Sequence, residues 1–242
     1  MGTEPQEFRG RDLRGARFVD SDLSGVTMRG VAVAGMEVES PWLFEAGELT
    51  VNGVNVVAYV DAELDRRFPG RELRGATTPD GMREAWAALQ RTWAATLDRA
   101  AGLPDGTVDA SVGGEWSFAQ TLRHLVMATD MWLGRGVLRL EQPFHPFGLA
   151  DHSMAEDGED MSVFSADVPT WSEVLAARAD RVAMVHEFLE TVTADVLAEE
   201  RPNPHDPAHP ETVRQCLGTI LEEEWEHHRY AVRDLDALES RR

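Results

Sequence analysis

The chain has 242 residues, 43% hydrophobic and 27% charged, enough apolar material for a sizeable core in one large domain or one domain with an appendage. Its 43 acidic residues outnumber 23 basic ones, and a net charge of −20 disfavours nucleic-acid backbones and anionic membranes as partners unless the acidic surface imitates DNA. The single cysteine, Cys216, excludes an intramolecular disulfide and reads as a small core residue; the lack of an apolar leader or of an 18-residue apolar run predicts a cytoplasmic protein.

Residues 8 to 38 repeat with a period of five. Phe8, Leu13, Phe18, Leu23, Met28, Val33 and Val38 share one phase, among neighbours rich in Asp, Arg, Gly, Ala and Ser. That period fits neither a helix nor a simple strand; it fits a solenoid in which one side chain per unit points to a common axis. The segment resembles the pentapeptide-repeat family: RDLRG and SDLSG match its unit well, whereas VAVAG and MEVES are degenerate. The resemblance implies a short β-solenoid with four units per coil. Seven units make fewer than two coils, so residues 1–40 are expected to dock on the following domain rather than stand alone.

Residues 41–78 read as a connector. Asn52-Gly53 between Leu49-Thr50-Val51 and Val54-Asn55-Val56 signals a β-hairpin, and AYVDAELDRRF predicts a short helix ending at Pro69-Gly70.

Residues 79–242 read as four helices. The first starts near Asp80, carries Met82, Trp86, Leu89, Trp93 and Leu97 at helical spacing, and stops at Gly102 before Pro104. The second opens on a capping box, Ser117 and Gln120, and buries Phe118, Leu122, Leu125, Val126, Thr129 and Leu133. The third opens at Thr170 with Glu173 and runs through Val174, Val185, Leu189 and Val192; the fourth follows the loop RPNPHDPAHP. A crossover rich in Pro, Gly and acidic residues, about 140 to 169, joins the second helix to the third. The expected fold is mainly α, a four-helix bundle. Trp86, Trp93, Trp116 and Trp132 are assigned to its core.

On the fourth helix, Val213, Leu217, Ile220, Ala231, Leu235 and Leu238 form an apolar stripe, and Glu224 and His228 interrupt its centre at i and i+4. A buried carboxylate needs compensation, either a divalent metal or an Arg from another helix, which would make Glu224 and His228 a core ion-pair site. Glu223 and His227 have the same spacing but lie about 60° from the stripe's centre, so this reading ranks Glu224 and His228 as ligands and the other pair as rim. His124, beside Thr121, Ala128 and Met131 on the second helix, is the third ligand candidate. His145 and His152 in the crossover are candidates for lining a substrate mouth; His205 and His209, among prolines, read as surface residues.

WSFAQTLRHLVMATDMWL resembles the W-S-x-x-x-x-L-x-H-L pattern of the DinB-like (DinB/YfiT) four-helix metalloproteins, and EWEHHR resembles their H-x-x-x-H-R segment, over about residues 80 to 238. The resemblance maps their metal site onto His124, Glu224 and His228, with Glu224 where a first His is usual, as in the mycothiol-dependent maleylpyruvate isomerase branch. It implies a divalent metal, zinc first with iron, manganese or nickel as alternatives. It also implies a low-molecular-weight thiol cosubstrate, a small-molecule substrate, and thiol S-transfer or isomerisation. A metal-dependent hydrolase and a non-catalytic ligand-binding or protection protein are the alternatives. No nucleic-acid or membrane partner is expected, and a homodimer is compatible with the sequence.

Overall fold

The computed structural model describes residues 7–19, 21–150, 154, 155 and 158–240, and the chain divides after Ser40 into two compact units. The first unit keeps the five-residue period without forming the expected β-solenoid. Among its described residues there is no strand, and the backbone bonds to itself only at three turns: Ala16 N–H to Leu13 C=O, Val26 N–H to Leu23 C=O and Met36 N–H to Val33 C=O. Gly10, Gly15, Gly25, Gly30 and Gly35 all take left-handed φ values between 61° and 77°. The turn chemistry is satisfied at these three turns, but seven units supply too little length for one layer to pair along another.

In the second unit, a short helix α1 (Leu43–Ala46) precedes a hairpin of β1 (Thr50–Val51) and β2 (Val54–Asn55), joined at Asn52 and Gly53 with φ of 50° and 83°. Two successive positive φ values are what a tight hairpin turn demands, which is why Asn-Gly stands there. Helix α2 (Val57–Arg67) follows, and its Asp61 and Asp65 both pair with Arg71, a guanidinium only 3% exposed, at 2.8 and 2.5 Å. Between them Gly70 has φ 99°, and a side chain there would meet the Ala88 Cβ at 3.0 Å.

Four long helices then form the bundle: α3 (Pro79–Ala101), α4 (Phe118–Thr129), α5 (Trp171–Thr191) and α7 (Val213–Ser240). Their starts are written locally. Thr78 caps α3 with Pro79 in its first turn, Ser117/Gln120 and Thr170/Glu173 are complete capping boxes, and Thr212 and Gln215 exchange reciprocal bonds at the start of α7. Each such cap contributes about 1 kcal/mol. A short helix α6 (Ala194–Leu197) and a two-stranded clasp, β3 (Glu200–Arg201) with β4 (Glu211–Thr212), lead into α7. No helix is long and apolar enough to cross a membrane among the described residues.

Helices α3 and α4 each pack against both α5 and α7, so α3 and α4 occupy opposite corners, as do α5 and α7. Trp86, Leu89, Trp93, Leu122, Leu125, Val185, Leu189, Leu217, Ile220 and Trp225 fill the core between them. Helix α4 does not end at Thr129 but widens into a π-helix, Asp130–Val137, with Leu138 N–H bonding Leu133 C=O five residues back. The sequence pattern cannot distinguish this from a continuing α-helix. Gly134 admits the crossover there, where a Cβ would lie 3.0 Å from Pro143. Buried Asp130 ties that crossover down by accepting from the His145 N–H at 2.7 Å and from Arg181.

A charged pair spans the core between Arg178 of α5 and Glu224 of α7, at 2.5 Å, the two side chains 5% and 1% exposed. Removing one partner of such a pair strands the other charge, at a cost of about 3–5 kcal/mol. Arg178→Met is therefore expected to lower the unfolding free energy by that order in urea titrations, and Arg178→Met with Glu224→Leu to be more stable than Arg178→Met alone. Equal stability of the single and double variants would show that the pair is not coupled.

A candidate metal centre between α4 and α7

The capping box at Ser117 starts α4 so that His124, two turns on, faces α7 and is nearly buried. Its Nε2 lies 3.4 Å from Glu223 Oε2, and His227 Nε2 lies 3.2 Å from the same oxygen. One ligand atom from each of the three residues falls within 4.8 Å of the others. Side-chain exposure is 9% for His124, 34% for Glu223 and 14% for His227, so the cluster opens to solvent on the Glu223 side.

Burial alone would raise the Glu223 pKa, but the hydrogen bonds and charge of His124 and His227 outweigh it and hold the carboxyl well below its usual range. Burial pushes the His227 imidazole toward its neutral form. A divalent ion binds an ionised carboxylate and neutral imidazoles, so its entry would displace the protons through which the two histidines hold Glu223. The spacing fits: ligand atoms about 2.1 Å from a tetrahedral ion lie about 3.4 Å apart, matching the contacts from Glu223 to each histidine.

Aromatic rings wall the cluster. Trp116 lies 4.6 Å from the His124 ring and stacks on His227 at 6.0 Å, and Tyr230 meets His227 edge-on at 5.8 Å. Arg233 pairs with Glu115 at 2.7 Å, fixing the segment that carries Trp116 to α7. Trp116 thus belongs to the site rather than to the core, whereas Trp86 and Trp93 are core residues.

The structure brings His124 into the site but separates it from Glu224 and His228, correcting the ligand set expected from helical phase. Both lie on the buried stripe, as their phase requires, yet the stripe's centre points at the bundle axis. There Glu224 meets Arg178, and His228 Nε2 lies 2.8 Å from Thr96 Oγ1, with its ring edge-on to Trp93 at 5.0 Å. The pair one residue earlier is rotated about 100° and faces α4. An arginine at a core phase of α5, one turn after Val174, was the available sign that Glu224 had a partner other than metal.

His145 sits in the crossover, where its Nδ1 accepts from the Phe147 N–H at 3.0 Å and its ring packs on Phe147. His152 lies outside the described residues. His205 tilts over Trp132 at 5.5 Å, and exposed His209 pairs with Asp206.

A family model described as DinB superfamily matches residues 88–231, a span that holds all three clustered residues. A comparison with curated proteins finds no match.

Burial pushes the His228 pKa down to about 4. Between there and its unfolded value near 6.5 the unfolded chain takes up a proton that the folded chain refuses, so this stability is present above about 6.5 and lost as pH falls toward 4. The full loss amounts to about 3 kcal/mol. His227 acts in the same direction. Buried Asp130, its carboxyl pushed up to about 6, acts in the opposite direction over the same range, so the test is a difference: in urea unfolding of metal-free protein the stability of wild type relative to His228→Leu should grow as pH rises from about 4 to about 6.5, and a difference that does not vary with pH would place the dependence elsewhere.

Proposed function

The chain belongs to the DinB superfamily, and from that premise we propose that it is a metal-dependent enzyme whose divalent ion, zinc by its donor set, is held by His124, Glu223 and His227. The observation that carries this reading is the convergence of those three side chains on one point between α4 and α7, open on one side. Three protein ligands with a free approach form a catalytic arrangement rather than a closed structural site.

When bound, the ion supplies Lewis acidity that lowers the pKa of a thiol or a water at the open position. In the reading we favour, the group it activates is the thiol of a low-molecular-weight cosubstrate, used for S-transfer or isomerisation of an electrophilic small molecule. Glu223 contributes negative charge and, together with two imidazoles, sets the donor strength of the site. Trp116 and Tyr230, packed on the His227 ring, offer flat surfaces to a bound reactant.

Purified protein is expected to hold about one divalent ion per chain. His124→Ala, Glu223→Ala and His227→Ala should each lose it on dialysis, measured by elemental analysis, while His228→Asn and Glu224→Gln retain it. Loss of the ion in His228→Asn with retention in His227→Ala would reverse the assignment. With cobalt loaded, adding mycothiol, bacillithiol or glutathione should change the absorption spectrum. Turnover that is independent of thiol and increases as pH rises through neutrality would instead identify a hydrolase.

A further inference from the structure

A cleft of about 530 Å³, a size that suits a small organic ligand, opens beyond the C-terminal end of α4. The π-helix and its exit supply Arg135 and Arg139, the crossover supplies Glu159, and the loop between β3 and β4 supplies its prolines and His205. That loop is pinned: Asn203 Oδ1 accepts from the N–H groups of His205 and Asp206 at 2.8 and 3.1 Å, and Asn203 Nδ2 donates to Glu211 at 2.8 Å. His205 lies over Trp132 at 5.5 Å, and Pro204 sits so close to the π-helix that a Cβ on Gly136 would meet it at 3.6 Å. The apolar wall therefore stands before any ligand arrives, and ordering it adds nothing to the cost of binding.

The two arginines of the cleft differ. Arg135 is committed: it bonds Glu159 twice, at 2.5 and 2.7 Å, and lies over the Phe144 ring at 4.8 Å. Those bonds hold the Glu159 carboxyl below its usual range, so it stays charged. Arg139 makes no hydrogen bond or ion pair with another described residue. Its backbone has φ 55°, in the left-handed region where a glycine normally ends a helix, and the Leu140 N–H beside it closes on Gly134 C=O at 2.9 Å. A glycine would make this exit without strain; the arginine accepts the strain and lines the cleft with a guanidinium. Such a group takes a carboxylate or phosphate through two parallel bonds. Ionised Glu159 in the same cleft and the negative end of the helix dipole both oppose a second negative charge, so a monoanion fits better than a dianion.

We propose that this cleft is a second ligand site, which binds an organic monocarboxylate: Arg139 takes the carboxylate through its guanidinium fork, and the prolines and His205 cover an apolar or aromatic body. None of His124, Glu223 and His227 lines the cleft, so the site does not depend on the ion.

Titration of the isotope-labelled full-length protein with benzoate at constant ionic strength, followed by NMR, tests this directly. Wild type should bind saturably with a Kd of about 1 to 10 mM, a range open to so small a ligand, and the Arg139 Nε–H signal should shift. Arg139→Gln should weaken binding about tenfold or more, and Arg139→Lys, which keeps the charge without the fork, about threefold. Arg139→Gly suits the left-handed backbone, so it should be at least as stable as wild type in urea and still lose benzoate, which separates a ligand role from a structural one. Benzyl alcohol, and inorganic phosphate at about pH 8, should each bind about tenfold more weakly than benzoate or worse, whereas His124→Ala should bind benzoate as wild type does. No saturable binding to wild type, or equal affinity in Arg139→Gln, would overturn the site. Benzyl alcohol or phosphate binding as tightly as benzoate would overturn the monocarboxylate, and loss of benzoate in His124→Ala would place it at the metal centre instead.

Discussion

The Arg178–Glu224 ion pair sets the register on which the rest of the bundle's chemistry depends. It spans the diagonal between α5 and α7, and with both side chains almost fully buried it tolerates neither rotation of α7 about its axis nor a shift along it. With Glu224 fixed on the axis, the 100° step per residue places Glu223 toward α4, and the next turn repeats the arrangement with His228 against Thr96 and His227 toward His124. Two polar pairs of identical spacing on one helix therefore have different fates. One is neutralised inside the core, and the other stands at a helix–helix boundary.

Much of this architecture is legible from local signals. Capping boxes, Pro79 after Thr78, Gly102 before Pro104 and the Asn52-Gly53 turn act over a few residues, so they survive into the structure where the sequence predicts them. His124 is legible because it is a titratable residue on an otherwise apolar face. The choice between Glu223/His227 and Glu224/His228 is not, because it depends on which helix lies opposite each face, and that is a property of packing. The π-helix after Thr129 is hidden for a similar reason, since its backbone bonds change while the apolar spacing of Met131, Leu133 and Val137 still reads as helical.

The N-terminal segment shows the opposite limit. Its period is plain in the sequence and is retained as a series of left-handed glycines, yet periodicity alone does not provide a second layer to pair with. A repeat buries its apolar side chain only when a neighbour covers it, and the apolar row of residues 8–38 remains half exposed. The bundle has no such deficit, because each long helix meets two others.

The position of the candidate metal centre follows from access. An ion at Glu224 and His228 would lie on the bundle axis behind Trp93 and Trp225, where no substrate could reach it, and it would bring a second cation beside Arg178, which already neutralises Glu224. At Glu223 and His227 the carboxylate meets two imidazoles and is one-third exposed, and Trp116 stacks beside them. The helical stripe identifies residues that must be compensated; the boundary of the stripe identifies residues that can both be compensated and do chemistry. In a helical bundle, ligands for a reactive metal are accordingly best sought one residue away from the centre of the apolar face, beside a buried charge whose partner already holds the helix in register.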